Sequence, residues 1–264
     1  MWQTRTFLVL AKTYPGPSAA IQEAVCTAAV DEDGKLTRLF PVPFRTMAEA
    51  KRFKKWQWIQ ARVQKAPHDH RPESYKVDYD SIEPMEEMPA GRGWPSRWAL
   101  VKHLVQPSIE AVRDSGASLG LIKPRNYSLK IEKLRNPQWT EDEIQKMLPG
   151  EGNTDLLGSP LTPRTVLEKL PVQMRYVFDC SDDEARHDFI FEDWEVGASW
   201  RSWSKRYRTP TLLHAALVHK YVEEPTKKDN MYFFIGNNYK RQHIWMVIGQ
   251  ARPNHLARSA TLRG

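Results

Sequence analysis

At 264 residues, with 41% hydrophobic and 27% charged residues, the chain has the size and composition of a soluble globular protein with one large domain or two small ones. Thirty-nine Lys and Arg against 32 Asp and Glu give a net charge of +7 and favour a polyanionic partner. Two cysteines, Cys26 and Cys180, with no C-x-x-C pair exclude zinc-ribbon and zinc-deaminase chemistry. The early apolar run Phe7 to Leu10 is too short for a signal or a membrane span, so a cytoplasmic location is expected.

The first third reads as strands. Thr6 to Lys12 is apolar and stops at the breaker Tyr14-Pro15-Gly16-Pro17-Ser18, and Ala24 to Val30 follows as a second strand. The turn signal Asp31-Glu32-Asp33-Gly34 leads back into Leu36 to Phe40, which Pro41-Val42-Pro43 should end. Next comes KRFKKWQWIQARVQK (51–65), with six basic residues and no acid. Turned through about 100° per residue it predicts an amphipathic helix over roughly 46–66, capped by Thr46. Phe53, Trp56, Ile59 and Val63 would form its core stripe. Lys51, Lys54, Lys55, Arg62 and Lys65 would surround Trp58 on the other face, a surface suited to a phosphate backbone with a base to stack on.

Tyr75 to Ile82 alternates as another strand, and a Gly/Pro-rich connection, Pro89 to Pro95, follows. Trp98, Val101, Leu104, Val105, Ile109 and Val112 predict a second helix kinked at Pro107. Leu119 to Leu134 reads as one or two strands interrupted at Pro124-Arg125-Asn126, and a short helix is expected near 140–148. Val172 to Cys180 and Phe189 to Trp194 read as strands, and Trp200 to Tyr207 and Leu212 to Val222 as helices. Met231 to Gly236 and Ile244 to Gly249 form a closing hairpin whose tip carries Tyr239, Lys240 and Arg241. The expected fold is α+β: a mostly antiparallel curved sheet or open barrel with helices packed on one side. Its parts would be a basic α/β N-terminal part (1–135), an irregular connecting segment (136–170) and a C-terminal part (171–264) completing the same domain.

Phosphate-loop, dinucleotide, H-E-x-x-H and G-x-S-x-G motifs are absent. The carboxylate-x-Lys spacings of metal nucleases occur only at Asp33-Gly34-Lys35 and Glu49-Ala50-Lys51, in the wrong contexts. Leu148-Pro149-Gly150-Glu151-Gly152 matches a helix-hairpin-helix turn only superficially. The densest polar cluster is His68-Asp69-His70-Arg71-Pro72-Glu73-Ser74, where a metal site, acid–base chemistry and a solvated loop all stay open. Glu23 stands at a strand edge, where a carboxylate becomes partly desolvated, and Lys12 and Tyr14 end the strand expected beside it. Arg38, Phe44 and Arg45 flank two prolines that would hold the arginines at a defined angle for phosphate or guanine contacts.

The ordered strings KTYPGPS (12–18), EAVCTAA (23–29), RLFPVPFR (38–45), DHRPES (69–74), MYFFIGN (231–237) and IWMVIGQ (244–250) resemble, with the basic Trp segment, a bacterial antiphage DNA glycosylase family that excises α-glucosyl-hydroxymethylcytosine from phage DNA. That resemblance implies an enzyme that extrudes a modified cytosine and leaves an abasic site. It needs neither metal nor organic cofactor. Glu23, Asp69 and Glu73 would be the carboxylates that stabilise the sugar cation or activate water, with His70 as proton donor. DNA contacts would come from Lys12, Tyr14, Arg38, Phe44, Arg45, Lys51, Lys54, Lys55, Trp58, Arg62, Arg71, Lys240 and Arg241. A non-catalytic module for modified or distorted DNA and a metal nuclease built on His68, Asp69 and His70 are the alternatives.

Overall fold

The computed structural model describes residues 1–18, 22–89, 94–148, 166–181 and 185–253. Its N-terminal half is a barrel of five long strands: β1 (Gln3–Lys12), β3 (Gln22–Asp31), β4 (Leu36–Val42), β5 (Gln57–Lys65) and β6 (Ser74–Glu87). A three-residue β2 (Gly16–Ser18) pairs on β3. The long strands run β1-β5-β6-β4-β3, and β3 pairs back onto β1, which closes the ring rather than leaving it open. Counting only these five in chain order, the circuit is 1-2-3-5-4-1, with the third and fifth parallel. This is the connectivity of the oligonucleotide/oligosaccharide-binding barrel.

The apolar run of β1 is continuous because both of its faces are covered. Phe7 and Val9 point into the barrel with Val25, Leu39, Ile59, Val63 and Ile82. Leu8, Leu10 and Ala11 point outward onto a second sheet, against Phe234, Ile248 and Ala251. The turn after β3 forms as its sequence dictates: Gly34 takes φ +75°, and Asp31 accepts from the amides of Asp33 and Lys35. β4 runs on through Pro41, whose bond to Phe40 is cis, as far as Val42.

The basic segment is not a helix. Only one 3₁₀ turn, Glu49–Lys51, precedes a bend in which Trp56 has φ +62°, and Gln57–Lys65 is a barrel strand. Ile59 and Val63, four apart, fit a helical stripe and a strand face equally well. Ala61 between them decides for the strand, because all three are buried inside the barrel. The cationic face therefore dissolves. Arg62 pairs with Asp78 and Lys54 with Glu87. Lys51 donates to the Asp80 carbonyl, Lys65 to the Pro72 carbonyl, and Trp58 is half-buried against the outer core.

The second sheet has the order β7-β8-β12-β13-β11-β10-β9. Its strands are β7 (Val105–Gln106), β8 (Leu119–Ile122), β9 (Arg125–Lys133), β10 (Val172–Asp179), β11 (His187–Phe191), β12 (Tyr232–Asn237) and β13 (Trp245–Ala251). Pairing is antiparallel except for β4–β6 in the barrel and β7–β8 and β11–β13 here. The expected kinked helix is two, α1 (Trp94–Val101) and α2 (Ile109–Asp114), separated by β7 and restarted at the Ser108 cap. α3 (Glu141–Met147) opens with a Thr140 capping box. α4 (Trp194–Ser204) and α5 (Pro210–Val218) follow, and a π-turn (His219–Glu223) carries α5 into α6 (Glu224–Lys228). Val196, Trp200, Leu213, Leu217 and Tyr221 share a core with Tyr176, Phe178, Phe191, Phe233 and Val247 of the sheet. The α+β architecture thus stands, as a barrel beside a helix-covered sheet.

The sheets divide between Glu87 and Val105, upstream of residue 135, and β8 and β9 hydrogen-bond with the strands that follow residue 171. In the segment 136–170 the structure describes 136–148 and 166–170, so most of the Leu148–Gly152 string lies outside the described residues, as do residues 90–93 of the Pro89–Pro95 connection.

Barrel and sheet meet where β1 crosses β13. A Cβ on Gly249 would stand 2.4 Å from the Cβ of Ala11. Gly249→Ala should therefore force the halves apart and cost about 1–3 kcal/mol, read as a lowered urea midpoint.

Candidate active site

Beyond β1, Thr13 bridges to Asp193 and the Tyr14 amide donates to the Glu192 carbonyl at 2.7 Å. This junction has a cavity on each side. Lys12 and Thr13 face opposite ways, as do Glu192 and Asp193, so Lys12 and Asp193 line one cavity while Thr13 and Glu192, with Tyr14, line the other.

The Lys12 cavity holds about 810 Å³. Lys12 is 8% exposed, donates to the Phe53 carbonyl at 2.8 Å and lies 3.5 Å from the centroid of Phe44. Burial drives its amine down to about 7, against the opposing pull of Glu195 and Asp193. Asp193 caps α4, accepting from the Glu195 amide at 2.6 Å, and is 3% exposed. Burial pushes its carboxyl up to about 7, with Lys55 pulling the other way. Glu195 is held low by Lys55, which reaches it at 3.4 Å and donates to the Gln250 carbonyl at 2.6 Å. Burial lowers Lys220, with Arg252 adding to the effect. Arg252 is anchored on Gln250 Oε1 at 3.1 Å and on the Lys220 carbonyl at 2.7 Å.

Six cations (Lys12, Lys54, Lys55, Arg97, Lys220, Arg252) face three acids (Glu87, Asp193, Glu195) in this cavity, and Phe44, Trp56, Trp94 and Trp194 supply aromatic wall. Lys12 and Asp193 feel each other's field but form no direct ion pair. Near neutral pH each is partly protonated and partly not, the condition for moving protons to and from a bound molecule.

The second cavity, about 650 Å³, is largely apolar. Tyr14 stacks on Trp194, with ring centroids 6.3 Å apart, and a Cβ on Gly197 would meet its ring at 2.2 Å. Arg38 is 2% exposed, donates through Nη2 to the Ser118 carbonyl at 2.8 Å and has no hydrogen-bond partner at Nη1 among the described residues. Arg71 grips Asp69 at 2.7 Å and donates to the Asn237 carbonyl at 2.9 Å.

Of the residues the sequence singles out, Lys12, Phe44, Lys54 and Lys55 come together in the first cavity, and Tyr14, Arg38, Asp69 and Arg71 in the second. The carboxylates proposed for catalysis are engaged elsewhere. Glu23 is 3% exposed and held by both sides of the Arg45 guanidinium. Burial raises Asp69, but the hydrogen bonds and charge of Arg71 outweigh it and hold the carboxyl at about 2, too acidic to take a proton at neutral pH. Glu73 accepts from the Ser118 amide and hydroxyl, both at 2.7 Å, and from the Leu119 amide at 3.2 Å. His70 is exposed and lines a separate hollow with Arg113 and Trp245. Lys240 and Arg241 are exposed at the β12–β13 tip. Among the described residues no group of three His, Cys, Asp or Glu could hold a metal ion, and no helix is long and apolar enough to cross a membrane.

Sequence reading missed Asp193, Glu195, Lys220 and Arg252. The signal available was Glu192-Asp193-Trp194-Glu195, acids that end a strand and open a helix.

No curated protein matches the chain. Residues 3–103 match a family model described as a domain of unknown function (DUF8758), and residues 105–263 a second such model (DUF8757). The break between them falls where the barrel gives way to the sheet, and since the second model covers more than half of its length, the chain belongs to the DUF8757 family.

Proposed function

We propose that the protein acts on nucleic acid and hydrolyses the bond between a base and its sugar, using Lys12 as proton donor and Asp193 as the carboxylate opposite. The observation that carries this reading is a buried amine and a buried carboxyl, both drawn to about 7, in a cavity rich in cations and aromatic rings. Phosphates suit Lys55, Lys220 and Arg252, and a base suits the faces of Trp194 and Phe44. The Lys12 ammonium donates a proton to the departing base as the bond to the sugar carbon breaks. Ionised Asp193 stabilises the positive charge that builds on the sugar and accepts the proton of the attacking water. Barrel connectivity adds support by analogy, since barrels of this topology often hold oligonucleotides.

The test is incubation with DNA followed by hot alkali, which cuts at abasic sites. Glucosylated hydroxymethylcytosine DNA comes first because the sequence resemblance names it, with unmodified DNA and RNA beside it. Cleavage that depends on Lys12 supports the reading. Retardation of DNA without cleavage on any substrate favours the alternative, a binding module, to which the barrel connectivity alone would point. In either case the three cations in excess of acids predict a log–log salt slope of about −3 in a binding titration.

A further inference from the structure

The second cavity has no part in the chemistry of Lys12 and Asp193, and its own chemistry stands apart from theirs. At about 650 Å³ it falls in the size range of small-ligand sites. Pro41, Pro67, Met246 and Ile248 make its walls apolar. Two aromatic rings at its edge, Phe40 and Tyr239, are 48% and 47% exposed, whereas most large hydrophobic side chains here are buried. Tyr239 is held in place from both ends. Its hydroxyl donates to the His68 carbonyl at 2.7 Å, and the Arg71 guanidinium stands 5.4 Å from its ring centroid. A fixed, exposed ring backed by a cation is a stacking platform prepared in advance.

Of the two acids that line this cavity, one lacks a side-chain partner and the other has one. Glu192 lines it, makes no side-chain hydrogen bond or ion pair among the described residues, and burial alone raises its carboxyl above the ordinary range. Asp69, which also lines this cavity, is by contrast satisfied by Arg71. When it takes up a proton, the Glu192 carboxyl presents a donor and an acceptor side by side. The complementary edge is a planar heterocycle with an acceptor next to a donor, such as the ring nitrogen and amino group of cytosine or adenine, or the N–H and carbonyl of uracil.

We propose that this second cavity is a nucleobase site, in which Glu192 pairs with the base edge and Tyr239 and Phe40 stack on its face. The base comes either from a free nucleoside or from a single strand, and the two sources are separable.

The experiment is calorimetric titration of the full-length protein with cytidine, uridine, 3-methylcytidine (whose pairing edge is blocked) and a short oligodeoxycytidine. Saturable cytidine binding, weakened at least tenfold by the methyl group, is expected. Binding of the oligonucleotide but not of the nucleoside, with the same dependence on Glu192, places the base in a strand and equally supports the site. Glu192→Gln keeps a donor beside an acceptor and should retain binding, while Glu192→Leu should weaken it at least tenfold. Tyr239→Ala, at an exposed position where folding is not at stake, should also weaken it several-fold. Asp193→Asn should remove most of the base release yet leave this binding intact, so the two readings fail independently. Equal affinity for cytidine and 3-methylcytidine, indifference to both Glu192→Leu and Tyr239→Ala, or no saturable binding of any of these probes would overturn the proposal.

Discussion

Lys12→Met is expected to lower base release at least about 100-fold while leaving the protein folded, because it removes a proton donor and relieves a buried amine of its desolvation. The pH profile gives a sharper signature. Asp193 must be ionised to act, so the rate climbs as pH rises through about 7. Lys12 must be protonated, so the rate falls again above about 7. The result is a narrow optimum near neutrality. Asp193→Asn keeps a helix cap but should lose both the rising limb and most of the rate. Lys12→Arg, charged at every accessible pH, should keep residual activity without the alkaline fall.

Stability supplies a readout independent of substrate. The folded state holds fewer protons at Lys12 than the unfolded chain between about 7 and the ordinary lysine value of 10.5, so this group adds stability as pH rises across that window. Asp193 works in the opposite sense, removing stability as pH rises from its ordinary 3.8 to about 7. Relative to the parent protein, Lys12→Met should lose the first dependence and Asp193→Asn the second. A broad pH plateau in activity, with both variants active, would end the assignment.

The legibility of each element in the sequence depends on how local its signal is. The hairpin at Asp31–Gly34 and the runs forming β1, β3, β10, β12 and β13 carry their own boundaries in apolar alternation and turn residues. The segment 51–65 misleads because Ile59 and Val63 satisfy two periods at once, and only pairing with β1 and β6 settles which applies. Lys12 is visible because it ends a strand beside a breaker. Asp193 is hidden because it falls in the run Phe189–Trp194 that reads as a strand, whereas the strand ends at Phe191 and Asp193 caps α4. Its partners Lys55, Lys220 and Arg252 come from distant parts of the chain, so only the docking of barrel on sheet creates the site.

Glu73 shows how a residue chosen for chemistry can serve architecture, and its replacement carries the largest expected loss of stability. Its carboxylate, at the entry to β6, takes hydrogen bonds from the Ser118 amide and hydroxyl and from the Leu119 amide at the start of β8. Arg38, from β4, donates to the carbonyl of the same Ser118 at 2.8 Å, and its own amide donates to the Glu73 carbonyl at 2.9 Å. Ser118 is 3% exposed, so water cannot readily replace what Glu73 supplies. Glu73→Ala strands these donors and removes one of the two carboxylates whose field reaches the buried Arg38 guanidinium, at a cost of roughly 2–4 kcal/mol. Glu73→Gln keeps one acceptor and should cost about half as much. Urea unfolding measures both. At temperatures where the variants remain folded, base release should persist, since Glu73 lies across the molecule's inner joint and not in the Lys12 cavity. A Glu73→Ala protein with unchanged stability and no base release would reverse the assignment and return this carboxylate to the chemistry.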